Sequence, residues 1–147
     1  MAEVDNTPQP FQSGFRLVDG SLLNALLSQF LLSTASALVP STVQTRAGAK
    51  AITLGITQIA AANASDAVKL PGSGANANGI PNPNLVFILN DGGQTVQVFP
   101  AGANDKIDGG AVGAAVNLSN AFRGVYWCYS DVGGVRLWAS GRMAVSS

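Results

Sequence analysis

From Leu70 to Asn90 the chain carries no charged residue, and it then runs straight into Asn90-Asp91-Gly92-Gly93-Gln94-Thr95-Val96-Gln97-Val98-Phe99-Pro100-Ala101-Gly102. This pattern predicts an apolar strand, a tight Gly turn, an alternating strand and a second turn. Leu85 to Leu89 is apolar at every position, so both faces of that strand are expected to be covered. Val96 and Val98 alternate with Thr95, Gln97 and Phe99, as in a strand with one covered face. No reactive side chain falls in the stretch, which speaks for packing and assembly rather than chemistry.

The same period of two recurs downstream of Thr45. Ile52, Leu54 and Ile56 alternate with Thr53, Gly55 and Thr57, and Val68 and Leu70 flank Lys69 before Pro71-Gly72 breaks the strand. Further strands are expected at Ala114 to Ser119, with Val116 and Leu118 inward, at Gly124 to Ser130 and at Val135 to Ser140. Short strands punctuated by Gly, Pro, Asn and Asp every 8–12 residues or so mark a sandwich or barrel. The expected fold is therefore mainly β, an antiparallel β-sandwich of jelly-roll type. Between Gly72 and Asn84 the residues are Gly, Ser, Ala, Asn, Ile and Pro, and they predict a surface loop whose exit Pro81 and Pro83 stiffen.

The N-terminal third reads differently. Residues 1–18 hold Pro8 and Pro10 without periodicity and predict an extended arm. Phe11 and Phe15 are its aromatic exceptions, placed either to dock on a neighbour or to fold back on their own domain. Residues 19–45 follow as one short helix and a linker, and residues 46–147 as the β-sandwich domain. Asp19 or Ser21 can cap the helix, in which Leu22, Leu23, Leu26, Leu27, Phe30 and Leu31 recur at three- and four-residue spacing. Its other face offers Ser21, Asn24, Ser28 and Gln29, none of them charged. Such a helix is expected to be buried on most sides, against its own sheet or against the same helix of another subunit.

Composition narrows the function classes. Charged residues are 11% of the 147-residue chain, against roughly 25% in ordinary soluble domains, and the formal net charge is zero. No basic field exists to release counterions from nucleic acid or to hold an anionic membrane. A surface with so little charge favours self-association, which predicts a homo-oligomer or coverage by partners. There is no His, so the commonest general base and transition-metal ligand is missing, and the single Cys128 has no intrachain disulfide partner. The chain's start has neither the basic residues nor the apolar core of a secretory signal. The Leu-rich segment from Leu22 to Leu38 is interrupted too often by polar residues to span a membrane.

Candidate sites are few. Asp91, Asp105, Asp108 and Asp131 stand beside Gly or in turns, where Asp accepts backbone hydrogen bonds. They lack the Asp-x-Asp-x-Asp spacing of a calcium loop, and the only Glu is Glu3, in the arm. The glycine pairs at 92–93 and 109–110 are expected in hairpin turns, since no phosphate-loop pattern surrounds them. No Ser has a His to activate it, so no catalytic, cofactor or metal residues are assigned. Val125-Tyr126-Trp127-Cys128-Tyr129 places Val125, Trp127 and Tyr129 on one strand face and Tyr126 and Cys128 on the other. With Trp138 these aromatics are either core or, if exposed, a platform for sugar rings, and Tyr126, Trp127 and Trp138 are the glycan-stacking candidates.

Ala67-Val68-Lys69-Leu70-Pro71, Val86-Phe87-Ile88-Leu89-Asn90-Asp91-Gly92, Val96-Gln97-Val98-Phe99-Pro100-Ala101-Gly102, Ile107-Asp108-Gly109 and a last aromatic strand ending in Leu137-Trp138 resemble a pattern of tailed-phage virion proteins. The pattern is found in capsid decoration (cement) proteins and in related head-fibre and tail-fibre modules, and here it covers roughly Lys50 to Ser140. Phe15-Arg16-Leu17-Val18-Asp19-Gly20 resembles the leading segment of such modules. The resemblance implies a homo-oligomeric, dimeric or trimeric, β-sandwich on the outer surface of the capsid, made in the host bacterial cytoplasm. It would clamp adjacent major capsid protein subunits, with Phe11, Phe15 and Arg16 meeting the shell and Leu22, Leu26 and Phe30 meeting other subunits. The alternative is a carbohydrate- or receptor-binding module of a head or tail fibre.

Overall fold

A computed structural model describes residues 38–61, 63–75, 79, 82–120 and 122–144. The expected arm and the Leu-rich helix, with Phe11, Phe15, Arg16, Leu22, Leu26 and Phe30, lie outside the described residues. The rest is mainly β. In chain order the strands are β1 (Lys50–Ala51), β2 (Ile56–Ile59), β3 (Asp66–Lys69), β4 (Leu85–Asn90), β5 (Val96–Phe99), β6 (Lys106–Ile107), β7 (Val116–Leu118), β8 (Phe122–Val132) and β9 (Val135–Ala144).

They form a four-stranded sheet in the order β1-β3-β5-β7 and a five-stranded sheet in the order β2-β4-β8-β9-β6. Every connection from β1 to β8 therefore leaves one sheet for the other, and strands adjacent in a sheet are rarely adjacent in sequence. The expected antiparallel pairing is corrected accordingly. β1 with β3, β3 with β5, β2 with β4 and β6 with β9 are parallel, whereas β4 with β8, β5 with β7 and β8 with β9 are antiparallel. Parallel neighbours need a crossover that carries the chain back to its starting end, a task usually given to a helix. Here a strand of the opposite sheet does it. The expected hairpins at Gly92-Gly93 and Gly109-Gly110 are likewise corrected, because both turns hand the chain from one sheet to the other. The one tight hairpin between these sheet strands is β8–β9, where Val132 pairs with Val135. Its Gly133 and Gly134 both have positive φ, 62° and 77°, the backbone that a two-residue hairpin matched to strand twist requires.

Side-chain alternation decides what lies between the sheets. Val68, Val96, Val98 and Leu118 from one sheet meet Ile59, Val86, Ile88, Ile107, Tyr126 and Trp138 from the other in one core, with Ile52, Ala61 and Leu70 from the connections. Burying each such side chain stabilises the fold by about 1.5–3 kcal/mol. In β4 only Val86, Ile88 and Asn90 point into that core. Leu85, Phe87 and Leu89, on the opposite face, remain half-buried.

The chain joins the fold at both sheets at once. Leu38 bridges Ile59 at the free edge of β2, and Ser41 bridges Ala67 of β3, with Pro40 buried between them. Among the described residues, pairing is thus present already at Leu38 and Ser41.

The turn from β4 to β5 shows how tightly a crossing is packed. A Cβ on Gly92 would sit 2.0 Å from the Ala61 nitrogen and 2.5 Å from its carbonyl oxygen, so two backbones touch there. Gly93 has open space around it but a φ of 79°. Gly92→Ala should therefore cost about 3 kcal/mol through backbone collision. Gly93→Ala should cost only about 1 kcal/mol, through the left-handed backbone alone. Urea denaturation of the two variants checks this, and equal losses would contradict the packing of 92 on 61.

Candidate interaction surface

Among the described residues several buried polar side chains bond the fold's own backbone, whereas Gln97 Oε1, the Tyr126 hydroxyl and Trp138 Nε1 are buried without a hydrogen-bond partner. Thr57, Asp66, Asn90, Asp105 and Arg136 are the buried polar or charged residues. Asn90 donates from Nδ2 to the carbonyls of Gln94 (2.7 Å) and Leu118 (3.0 Å), tying β4 of one sheet to β7 of the other. Asp105 accepts from the N–H of Gly102 (2.7 Å) and of Arg136 (2.9 Å). Asp108, at a φ of 54°, accepts from the backbone N–H and the hydroxyl of Ser140. These Asp residues act as turn and edge acceptors, as the sequence predicts. Asp91 pairs with Arg123 at 2.6 Å and accepts from Gln58 at 3.0 Å. Among the described residues no group of three or more His, Cys, Asp or Glu could hold a metal ion. None of their helices is long and apolar enough to cross a membrane.

Arg136 is the residue that sequence reasoning missed. Its side chain is 3% exposed, its Nε donates to Asp131 Oδ2 at 2.8 Å, and its Nη1 donates to the carbonyls of Pro71 (3.3 Å) and Pro83 (3.2 Å). Its Nη2 donates to Asn84 Oδ1 at 3.0 Å, and its guanidinium stands 5.5 Å from the centre of the Trp138 ring. Four of the five guanidinium N–H groups thus have acceptors. The two ends of the loop from Gly72 to Asn84 are clamped together, and Ser73 completes the clamp by donating to Asp131 Oδ1 at 2.7 Å. The available signal was parity: Arg136 shares a strand face with Trp138, which is fully buried.

The aromatic candidates divide. Tyr126 and Trp138 are 1% and 0% exposed, so they are corrected from glycan platform to core, where alternation along β8 and β9 points them between the sheets. Burial pushes the Tyr126 hydroxyl well above its usual pKa. Cys128 is half-buried against the core, its Sγ donating to the Ser130 carbonyl at 3.1 Å. Desolvation raises its thiol pKa in spite of the Arg136 charge. Trp127 is 43% exposed. Tyr129 is exposed as well, unopposed in β9 because the register shifts between Cys128 and Ser130, as at a β-bulge.

Trp127 belongs to a larger surface. On the outer face of the five-stranded sheet, Leu85 pairs with Trp127, Phe87 with Val125 and Leu89 with Arg123. β9 extends that face with Ala139, Gly141 and Met143, and β2 with Ile56. The Trp127 ring lies over Gly141, where a Cβ would meet it at 3.7 Å. Arg123, paired with Asp91, stands at one end of this face, and Lys106 of β6 lies beside Leu137 at its other edge. On this face Trp127 and Met143 are exposed, and the other apolar side chains are half-buried.

No family model, curated protein or solved structure matches this chain.

Two outcomes follow from the clamp. Arg136→Ala should lower stability by about 3–5 kcal/mol, since it strips several buried acceptors of their donor. Arg136→Lys should recover little, because an ammonium cannot span the four sites. Asp131 is held below the usual carboxylate pKa by its hydrogen bonds to Ser73 and Arg136. A depressed folded pKa means that its contribution is fully present above the unfolded value of about 3.9 and disappears as pH falls through the folded one. The difference in urea midpoint between wild type and Asp131→Asn should be constant from neutral pH down to about pH 5 and shrink below about pH 4. A difference that instead faded between neutrality and pH 5 would show that this carboxylate is not the group responsible.

Proposed function

We propose that this chain is a structural protein of a tailed-phage virion, a capsid decoration protein that binds the outside of the shell and stabilises contacts between major capsid protein subunits. The observation that carries the reading is the largely apolar outer face of the five-stranded sheet, where Leu85 and Phe87 of β4 lie beside Trp127 and Val125 of β8. The resemblance from Lys50 to Ser140 supports the same reading. The two sheets around their common core form a sandwich in this account, wound by alternation between sheets rather than as a Greek key.

Its work is mechanical, with no catalysis and no cofactor. Binding free energy added across capsomer boundaries opposes the outward pressure of packaged DNA, and apolar, uncharged contacts keep that energy at any salt concentration. Phe11, Phe15 and Arg16 contact the shell, Leu22, Leu26 and Phe30 contact other copies, and neither nucleic acid nor membrane is a partner. Particles lacking the protein should lose DNA at lower temperature than complete particles. On dilution of salt they should lose it while the ionic strength is still higher, because weaker screening raises the pressure of the packaged DNA. Equal survival of the two would refute the proposal. Phe15→Ala and Arg16→Ala should each weaken binding to the shell by about tenfold or more, the effect of removing an interface anchor.

A second reading, a glycan-binding module of a head or tail fibre, is favoured by the exposure of Trp127 and Tyr129 beside the exit of the Gly72 to Asn84 loop. Stacking of sugar rings there would shift tryptophan fluorescence in a titration with host glycans, and the shift would vanish in Trp127→Ala.

A further inference from the structure

The β8–β9 hairpin ends in an apolar tip, and a small cleft opens at the β2 side of the same sheet. We propose that two copies of this chain pair about a two-fold axis, with the Val132 tip of each seated in the cleft of the other.

The hairpin outruns its neighbours. β4 follows β8 only as far as Trp127, and the Cys128 N–H still reaches the Asn84 carbonyl at 2.7 Å. Past that point the rows Ser130–Leu137, Asp131–Arg136 and Val132–Val135 carry the hairpin on for about 10 Å. Val132, at its end, is 74% exposed, more than any other large apolar residue described. No free charge stands beside it, because Ser73 and Arg136 hold the Asp131 carboxylate. The remaining Arg136 bonds fix the base of the hairpin to Pro71, Pro83 and Asn84. A tip that is already stiff loses little freedom when it is seated.

The cleft matches it in size and chemistry. It offers about 110 Å³ between Leu38, Ala51, Ile52, Leu54 and Thr57, and no charged side chain lines it. An aliphatic cavity of about 150 Å³ takes up benzene, so a space somewhat smaller suits a branched aliphatic side chain. The Thr57 hydroxyl is turned to the Leu54 carbonyl, away from any ligand.

Tip and cleft stand at the same end of the molecule. The Phe87 N–H donates to the Gly55 carbonyl at 2.6 Å, which sets the connection 52–55 beside the start of β4, and the hairpin runs out past that same start. Across the order β2-β4-β8-β9 they lie two to three strand spacings apart, about 10–14 Å. A two-fold axis normal to the sheet and midway between them therefore brings each tip to the other copy's cleft, and the pair is closed at two chains. Within one chain the contact cannot form, since both features point the same way. The zero net charge sets no long-range repulsion against pairing. This axis also leaves both outer faces of the five-stranded sheet on one side, so the pair does not compete with a shell contact, and it does not depend on one.

Cross-linking of the full chain tests the arrangement. In a Cys128→Ala background, Val132→Cys and Ala51→Cys are oxidised separately and as a mixture, and thermal midpoints near that of wild type verify that each variant folds. The mixture should form the disulfide-linked dimer several-fold faster than either variant alone, because two tips about 10–14 Å apart cannot be bridged. In sedimentation velocity the wild type should shift to twice the mass of its smallest species as concentration rises, and Val132→Asp, altered only at an exposed position, should not. Equal cross-linking in the mixture and in the separate variants would overturn the proposal. So would a wild type that stays monomeric throughout, or a Val132→Asp that associates as steeply as wild type.

Discussion

A chain that changes sheet at nearly every turn must cross the edge of its own hydrophobic core again and again, and each crossing carries backbone N–H and carbonyl groups into an apolar region where an unpaired one costs about 1–3 kcal/mol. The five buried polar residues stand at those crossings. Thr57 donates to the Leu54 carbonyl between β1 and β2, and Asp66 accepts from the Asn63 N–H between β2 and β3. Arg136 clamps the passage from β3 to β4, Asn90 the passage from β4 to β5, and Asp105 the passage from β5 to β6. Remove one and the affected groups have neither water nor a partner. Much of the polar interior among the described residues is therefore a consequence of the winding.

The placement of these residues also explains why the sheets are mixed. A hairpin satisfies its turn largely through its own ladder, so a fold built from hairpins needs little help from side chains. A crossing has no ladder across it. Asn90 bridges the two sheets directly, reaching from the end of β4 to the carbonyl of Leu118 in β7. Where the chain finally makes a hairpin, between β8 and β9, two glycines suffice at the turn, and the polar residues near it, Asp131 and Arg136, are occupied with the distant loop instead.

Much of the local structure was legible in the sequence because alternation survives whatever partner a strand takes. The strands at 66–69, 85–90, 96–99, 116–118, 122–132 and 135–144 overlap those expected. The opposition of Tyr126 and Cys128 to Trp127 follows from period two alone. Pairing was not legible, because a strand flanked by Gly turns reads the same whether the turn closes a hairpin or leads to another sheet. The two-residue strands β1 and β6 are too short for any period to show. Ile52 to Leu54 alternates but lies outside the strands, although the Ile52 N–H donates to the Lys69 carbonyl of β3 at 2.9 Å and its side chain is buried. Arg136 was hidden by charge. In Val135-Arg136-Leu137-Trp138 an arginine suggests the wet face, and only the burial of Trp138, two residues on, reveals that the guanidinium is inside.

The division of labour between faces bears on function. The largest buried side chains lie between the sheets, whereas on the outer face of β4, β8 and β9 the apolar side chains are half-buried or exposed. Yet Phe87, Val125 and Trp127 are as apolar as core residues, which a face left to water has no physical reason to be. A surface that is costly to expose is maintained by what covers it.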